Sequence, residues 1–352
     1  MDISFDVYKQ LKYFQGLDGI RALSAFMVIS HHMEDKFLVF LDGKSGVSIF
    51  FVLSGFLITS LLIREEEENP KVSLRAFYIR RSFRIFPIYY CVLCIYCFLI
   101  FGFDIDILSN KRFELTNALP YYIFYMNEFM PFGTGAGFGH SWSLGIEEKF
   151  YLLWPLIGFV LLTKTNNNRL LWLIVFSITL VFMDIVLPNY HLGSYYMLLV
   201  GCMLAVVLSK KQSYEIIIRT ITSTKGTYIV VTVFIITHLL KQYYDAIIIL
   251  YPIAVALLIA LVVTGNNKLT SFLDTSMLRF CGRISYGIYL LHVLSINAVQ
   301  YVLKPGSENY LITTLTFIFS VLLSIVIAYI LHNILERPFI MYGRKIAFKY
   351  AN

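Results

Sequence analysis

Apolar stretches of about twenty residues alternate with short polar clusters along the chain. A transmembrane helix needs about twenty predominantly apolar residues to cross the bilayer core. The pattern therefore predicts an all-α polytopic membrane bundle of about ten transmembrane helices. The predicted spans, several of them short or interrupted, are 20–41, 46–63, 85–103, 144–163, 169–187, 193–209, 227–241, 245–264, 285–303 and 311–335.

Composition agrees with this class. Of the 352 residues, 58% are hydrophobic and 14% are charged, whereas about 25% of the residues in a soluble domain are charged. The mean hydropathy is +0.71, so the lipid bilayer is an expected partner. The formal net charge of +7 does not predict nucleic-acid binding, because the basic residues are distributed by membrane side.

Loop charges predict the orientation. With ten spans, 21 Lys and Arg residues fall in the termini and in the loops after spans two, four, six and eight, and 6 fall in the opposite loops. Basic residues accumulate on the cytoplasmic side. We therefore predict a multi-pass protein of the inner (cytoplasmic) membrane with both termini cytoplasmic. We also expect no cleavable signal peptide, and a single transmembrane domain over residues 1–352 without a fused soluble domain.

The five cysteines lie in or beside apolar runs, so no disulfide framework is expected. Cys91, Cys94 and Cys97 have a spacing that also occurs in metal sites. On a span rich in Leu, Ile and Tyr we interpret them as small apolar side chains. No metal site and no permanently bound cofactor is predicted.

The first span contains ionisable residues in the segment LDGIRALSAFMVISHH. Such residues inside a membrane helix are costly and indicate function. Arg21 and His32 lie eleven residues apart, almost three whole turns, so they are predicted to share a helix face. Asp18 is three residues before Arg21, within reach of an ion pair. Alternatively, Arg21 extends to the interface and His32 bonds a neighbouring helix.

Span two carries Ser54 and Gly55 between large side chains. Small residues let two membrane helices approach closely. We interpret the pair as a helix-packing site, and a role in lining a cavity is the alternative.

Span three opens with arginines in the segment FYIRRSFRIFPIYY. Arg80 and Arg84 are four residues apart and share a helix face. Arginine side chains suit the recognition of phosphate groups. The alternative is that these arginines only anchor the helix at the cytoplasmic interface.

Region 104–143 is the longest predicted non-cytoplasmic segment, and Pro and Gly interrupt its apolar and aromatic residues. Non-helical backbone at membrane depth requires protein or a water-filled cavity around it. We therefore predict a re-entrant or capping element here. Glu147 and Glu148 follow at the start of span four, where a carboxylate can orient a nearby imidazole and raise its basicity. Acidic residues are also favoured at any helix N-terminus.

Span nine contains a further candidate group in the segment GRISYGIYLLHVLSIN. Tyr286, Tyr289 and His292 are spaced so that they approximate one helix face. A single histidine within the membrane is otherwise explained as a hydrogen-bonded packing residue.

Four segments taken together resemble acyltransferase family 3, the polytopic O-acyltransferases of bacterial glycans and related acceptors. They are LDGIRALSAFMVISHH, GVSIFFVLSGFLI, FYIRRSFRIFPIYY and HSWSLGIEEKFYLLWPL, and SYGIYLLH is a fifth, weaker match. The matches keep the family order between about residue 16 and residue 292. One position departs from the family: Ser48 replaces an acidic residue that is common there, which puts any role of that acid in doubt.

The resemblance assigns roles to the candidate residues. The family's arginine–ten residues–histidine pattern falls on Arg21 and His32, and its spaced arginine pair falls on Arg80 and Arg84. The WSLxxE element begins at Trp142 and supplies Glu147. The catalytic candidates are thus His32, Glu147 and Arg21, the donor-binding candidates are Arg80, Arg84 and again Arg21, and the supporting candidates are Asp18, Glu148, Trp142, Tyr289 and His292.

The resemblance implies transfer of an acyl group, most often acetyl, from acyl-CoA (acetyl-CoA) to a hydroxyl of a glycan or related acceptor. The arginines would face the cytoplasmic donor, and the acceptor would lie outside, toward His32 and Glu147. His32 would act as general base with Glu147 orienting it. An acyl-histidine intermediate is the second variant.

A transporter or flippase for a polar metabolite is the alternative function, because broken helices and intramembrane charges serve transport as well. The sequence has no inverted repeat that we recognise, and its arginine cluster is confined to one side. Both features favour the enzyme.

Overall fold

The computed structural model describes residues 3–11, 13–33, 41–69, 71–103, 109–130, 137–162, 166–187, 191–241, 243–265, 267–304 and 310–350. Helices make up the regular structure of these residues, which confirms the predicted all-α class. The α-helices are α1 Phe5–Gln10, α2 Leu17–His31, α3 Gly43–Glu68, α4 Leu74–Phe101, α5 Ser109–Ile123, α6 Trp142–Leu156, α7 Asn166–Val186, α8 Leu192–Leu208, α9 Lys211–Ile221, α10 Thr224–Leu240, α11 Asp245–Thr264, α12 Lys268–Leu273, α13 Ser276–Arg283, α14 Ser285–Leu303, α15 Tyr310–Leu331 and α16 Arg337–Phe348.

Helices cover at least half of each of the ten predicted spans. By length and composition, six helical segments among the described residues can cross a membrane, and a seventh results if α8 and α9, which meet at a bend of 106°, count as one span. The six are Gly43–Glu68, Leu74–Phe101, Asn168–Val186, Ile247–Thr264, Ser285–Leu303 and Leu311–Phe348. The chain is therefore a multi-pass membrane protein, and the count of ten spans stays a prediction.

The first of two compact units comprises Met1–Met27, Phe40–Val72 and Leu153–Arg283. Its apolar core lies where α3 packs against α8. A Cβ atom added to Gly55 would lie 1.9 Å from the Leu198 carbonyl oxygen, and one added to Gly201 would lie 2.0 Å from the Val52 carbonyl oxygen. The helices thus touch backbone to backbone, which confirms the packing role predicted for Gly55.

A polar group that we call the Asp42 cluster also belongs to the first unit. Asp42, the residue before α3, forms an ion pair of 2.6 Å with Lys241 and accepts a hydrogen bond of 2.9 Å from the Ser45 hydroxyl. The Ser45 oxygen is 3.0 Å from Nδ1 of His238. The Lys241 ammonium group lies 4.5 Å from the centroid of the Tyr251 ring. These contacts join the start of α3 to the end of α10.

The second unit comprises Val28–Val39, Ser73–Leu152 and Ile284–Asn352. In this unit α14 packs against α15, and α16 packs against α4. Gly287 permits the first contact, because a Cβ there would be 3.1 Å from the Cβ of Ala328. The Tyr286 hydroxyl donates a hydrogen bond of 3.3 Å to the Ile85 carbonyl oxygen, which fixes α14 to α4.

Candidate active site

Three histidines from distant parts of the sequence meet in the second unit. His32 directly follows α2, His140 lies in the 3₁₀ turn Gly139–Ser141, and His292 lies on α14. Nε2 of His292 is 3.2 Å from Nδ1 of His32. The ring centroids of His140 and His292 are 4.7 Å apart, as are those of His32 and His292. We call these three residues the histidine cluster.

Burial differs within the histidine cluster. His292 is fully buried and His140 is 8% exposed, whereas His32 is exposed. The cluster therefore has one accessible imidazole with two inaccessible imidazoles behind it. Because an imidazole changes its charge near neutral pH, the exposed member is suited to proton exchange with a bound molecule.

A hydroxyl pair borders the histidine cluster. The Tyr289 hydroxyl donates a hydrogen bond to the carbonyl oxygen of His140. The same hydroxyl is 2.7 Å from the Ser143 oxygen, and since its proton is already engaged, Ser143 is the donor of the second bond. Tyr289 thereby connects α14 to the start of α6. The structure thus places Tyr289 and His292 beside His32, and their supporting role stays a prediction.

His140 is held by backbone carbonyl groups. Its Nδ1 and Nε2 atoms are each 3.3 Å from a carbonyl oxygen, that of Gly137 and that of Leu290 respectively. Burial, followed by the proximity of His32, lowers the pKa of His140 to about 3. A neutral imidazole has a single N–H group, so only one of the two carbonyl groups accepts a hydrogen bond at a time.

His140 and the residues that hold its turn in place were not predicted from the sequence. The buried Asn127 donates from Nδ2 to the Ser141 hydroxyl at 2.7 Å and to the Tyr89 hydroxyl at 3.0 Å. Glu128, 6% exposed, forms an ion pair of 2.7 Å with Lys149 of α6. The sequence does contain a signal for this turn. Asn127 and Glu128 lie inside an apolar, aromatic segment, where burial of unpaired polar groups is costly.

This region is the predicted re-entrant or capping segment. The structure describes it as α5, two 3₁₀ turns at Asn127–Phe129 and Gly139–Ser141, and the connections between them, except for residues 104–108 and 131–136, which lie outside the described residues. Residues 109–123 form the regular helix α5, which the prediction did not include, and the described chain between α5 and α6 is irregular apart from the two 3₁₀ turns. A capping role over a cavity stays a prediction.

The two glutamates of α6 lie close to each other and to polar side chains of α4 and α14. Ser143 and Glu147 are four residues apart and share a helix face. Because Ser143 contacts Tyr289, this face is directed toward the histidine cluster, and the Glu147 carboxyl interacts electrostatically with the Tyr289 hydroxyl. Glu148 interacts electrostatically with the Glu147 carboxyl and with the guanidinium group of Arg81. Trp142, the first residue of α6, is half-buried.

Arg21 and Asp18 belong to the first unit and both lie on α2. Nη1 of Arg21 is 3.7 Å from Oδ1 of Asp18, which confirms the predicted i,i+3 pair. The Asp18 carboxylate also accepts a hydrogen bond of 3.0 Å from the Tyr13 hydroxyl. Asp18 thus orients the guanidinium group of Arg21.

Arg80 and Arg84 lie one turn apart on α4, and both are half-buried. Arg81 lies between them on α4. Its guanidinium carbon lies 5.0 Å from the centroid of the Tyr151 ring, so it packs α4 against α6. The three neighbours therefore divide into a structural arginine and a pair whose predicted role is donor binding.

The chain matches one protein family and several curated proteins. Residues 14–333 match the family model described as "Acyltransferase domain". The chain is 31% identical over 323 residues to the peptidoglycan O-acetyltransferase OatA of Listeria monocytogenes serovar 1/2a, covering 85% of this chain and 52% of that protein. It is 28% identical over 355 residues to the O-acetyltransferase OatA of Staphylococcus aureus strain NCTC 8325, covering 93% and 57%.

A putative O-acetyltransferase of Staphylococcus aureus strain COL is 27% identical over 371 residues, covering 97% of this chain and 59% of that protein. The chain thus spans between half and three-fifths of the length of these curated relatives. No solved structure matches it.

Proposed function

Since the chain belongs to the Acyltransferase domain family, we propose that it is a membrane O-acetyltransferase that moves an acetyl group from acetyl-CoA to a hydroxyl of an extracytoplasmic glycan. The relatives support the reaction class, because they are named O-acetyltransferases, one of them of peptidoglycan. A polymer of the cell wall is therefore the acceptor to test first.

The donor is proposed to reach the protein from the cytoplasm. Acyl-CoA carries phosphate groups, and arginine forks bind phosphate with charge-assisted hydrogen bonds. Arg80 and Arg84 are the proposed ligands for those groups, together with Arg21. The excess of Lys and Arg in the loops on this side of the ten-span topology supports the assignment.

In the proposed reaction His32 is the general base. It removes the proton from the acceptor hydroxyl while the hydroxyl oxygen attacks the thioester carbonyl carbon. The carbon–sulfur bond then breaks, and the thiolate of CoA takes the proton from the His32 imidazolium. Glu147 raises the basicity of His32 and stabilises the imidazolium. A covalent acyl-histidine is the less favoured variant, because it requires a second transfer step.

The observation that carries this proposal is the asymmetry of the histidine cluster. His32 is exposed and the other two histidines are buried, so one imidazole is accessible to substrate, and the hydrogen bond to His292 orients it. Hydrogen bonds to a fixed partner are what orient a general base for proton transfer.

The test uses purified protein in proteoliposomes with acetyl-CoA labelled in the acetyl group and soluble wall glycan on the opposite side. Wild type should consume the donor and label the glycan, and His32→Ala should do neither. His31→Ala is the matched control, because His31 is the neighbouring exposed histidine. Absence of turnover by wild type with acetyl-CoA and longer acyl-CoAs would reject the enzyme and favour transport.

A further inference from the structure

We propose that His292 is a positioning residue that selects the tautomer of His32, leaving Nε2 of His32 as the nitrogen that accepts the proton. The inference rests on the proposed function, since it assigns the atom that performs the base step. It follows from hydrogen-bond chemistry at three pairs of atoms in the second unit.

The first pair fixes the proton on His292. Its Nδ1 lies 2.5 Å from the carbonyl oxygen of Tyr289, one turn earlier on α14. A carbonyl oxygen only accepts hydrogen bonds, so Nδ1 carries the hydrogen. A charged imidazolium without any exposed surface is costly, and His292 is 0% exposed. His292 is therefore neutral, and its Nε2 presents a lone pair.

The second and third pairs fix the proton on His32. Its Nδ1 lies 3.0 Å from the carbonyl oxygen of Val28 and 3.2 Å from Nε2 of His292. Both neighbours are acceptors, so Nδ1 of His32 must carry the hydrogen and shares it between them. The neutral His32 ring then holds its lone pair at Nε2.

The same contact assists the chemical step. When Nε2 of His32 takes the acceptor proton, the ring becomes an imidazolium, and its Nδ1–H group donates to Nε2 of His292. A hydrogen bond from a charged donor is about twice as strong as one between neutral groups. His292 therefore stabilises the charged intermediate state more than the ground state, which lowers the barrier.

The matched substitutions are His292→Gln and His292→Asn. The Gln side chain places its amide oxygen near the position of Nε2, where it can accept from His32. The Asn amide is one methylene shorter, so it can reach the Tyr289 carbonyl group but not His32. Both are neutral amides, and both retain a polar group at this fully buried position.

The experiment measures kcat and KM for acetyl-CoA in proteoliposomes, with the amount of folded protein determined by size-exclusion chromatography in detergent. We expect His292→Asn to lower kcat about 10- to 100-fold, as for the loss of part of a general-base effect, with KM unchanged within about twofold. We expect His292→Gln to recover most of that loss.

Equal activity of the two variants, or a loss that appears in KM alone, would overturn the assignment of His292. So would failure of both variants to accumulate as folded protein, because that result shows a purely structural residue. In either case wild type would still turn over and His32→Ala would not, so the proposed function would stand. If wild type itself is inactive, the proposed function fails first.

Discussion

The two units each contain a histidine hydrogen-bonded to a buried partner, and the partners differ in kind. In the Asp42 cluster, Nδ1 of His238 bonds to Ser45, whose hydroxyl donates to a carboxylate already paired with Lys241. In the histidine cluster, His32 bonds to another imidazole and to a backbone carbonyl group. The first network ends on an ion pair, and the second consists of neutral groups.

The same side chain thus serves two purposes in one membrane protein. A histidine that bonds to the side chains around an ion pair helps to join helix ends, so it stabilises the fold. A histidine oriented by neutral acceptors keeps one nitrogen for proton exchange. Substitutions in the Asp42 cluster should therefore change stability, and substitutions in the histidine cluster should change turnover.

The largest expected effect separates the two histidines directly. His32→Ala should lower kcat about 10²- to 10⁴-fold, the usual contribution of a general base, at normal expression. His238→Ala should leave kcat within about twofold. Both are measured as release of CoA thiol by reconstituted protein. A turnover loss in His238→Ala as large as that in His32→Ala would remove the distinction between the clusters.

The ion pair gives the next effect. Lys241→Ala leaves Asp42 partly buried without its ammonium partner, and we expect a loss of about 1–3 kcal/mol in unfolding free energy. Lys9→Ala is the control, because its bond to Glu67 is similarly short, 2.8 Å, but both side chains are 38% exposed, and exposed pairs contribute about 0–1 kcal/mol. Thermal unfolding in detergent compares them, and equal melting temperatures would contradict the ranking.

A smaller effect concerns the donor. Arg84→Ala should raise KM for acetyl-CoA about tenfold, equivalent to about 1.4 kcal/mol, and leave kcat nearly unchanged, because a phosphate ligand acts in binding. Lys71→Ala removes an exposed positive charge just before α4 and should have no effect. An unchanged KM in both Arg80→Ala and Arg84→Ala would reject donor binding by this pair.

The smallest effect is the stability change in His238→Ala. Removing the imidazole deletes one neutral hydrogen bond to Ser45, and Ser45 still donates to Asp42. We expect about 1 kcal/mol, less than in Lys241→Ala, as a small downward shift in melting temperature. A shift larger than that of Lys241→Ala would show that the histidine, rather than the ion pair, holds the two helices.

Sequence patterns predicted most of the helices and part of the site. The length of the apolar stretches located the helices, because a segment that crosses a bilayer must satisfy its backbone hydrogen bonds internally. The i,i+3 pair of Asp18 and Arg21 was predictable because helix geometry alone sets it. The joint position of Tyr289 and His292 followed in the same way from their spacing on one helix.

The remaining parts of the site depend on long-range contacts. His140 has no helical periodicity, since it lies in a short 3₁₀ turn held by Asn127 and Ser141. The hydrogen bond between His292 and His32 joins residues 260 positions apart. Local sequence patterns do not predict contacts between residues so far apart in the chain. A carboxylate, Glu147, could be proposed from the sequence as a partner of His32, but the imidazole of His292 at Nδ1 of His32 could not.

The glycines at the crossing of α3 and α8 constrain how the chain can vary. At Gly55 the obstacle to any side chain is the backbone oxygen of Leu198, and at Gly201 it is that of Val52. Backbone atoms are the same for every amino acid, so no replacement on the facing helix can make room. In a saturation mutagenesis library these two positions should each be intolerant, and neither should acquire second-site suppressors at the opposing residue. Among homologous sequences the pair should be fixed rather than covarying, so coevolution methods would not detect this helix contact from these two positions.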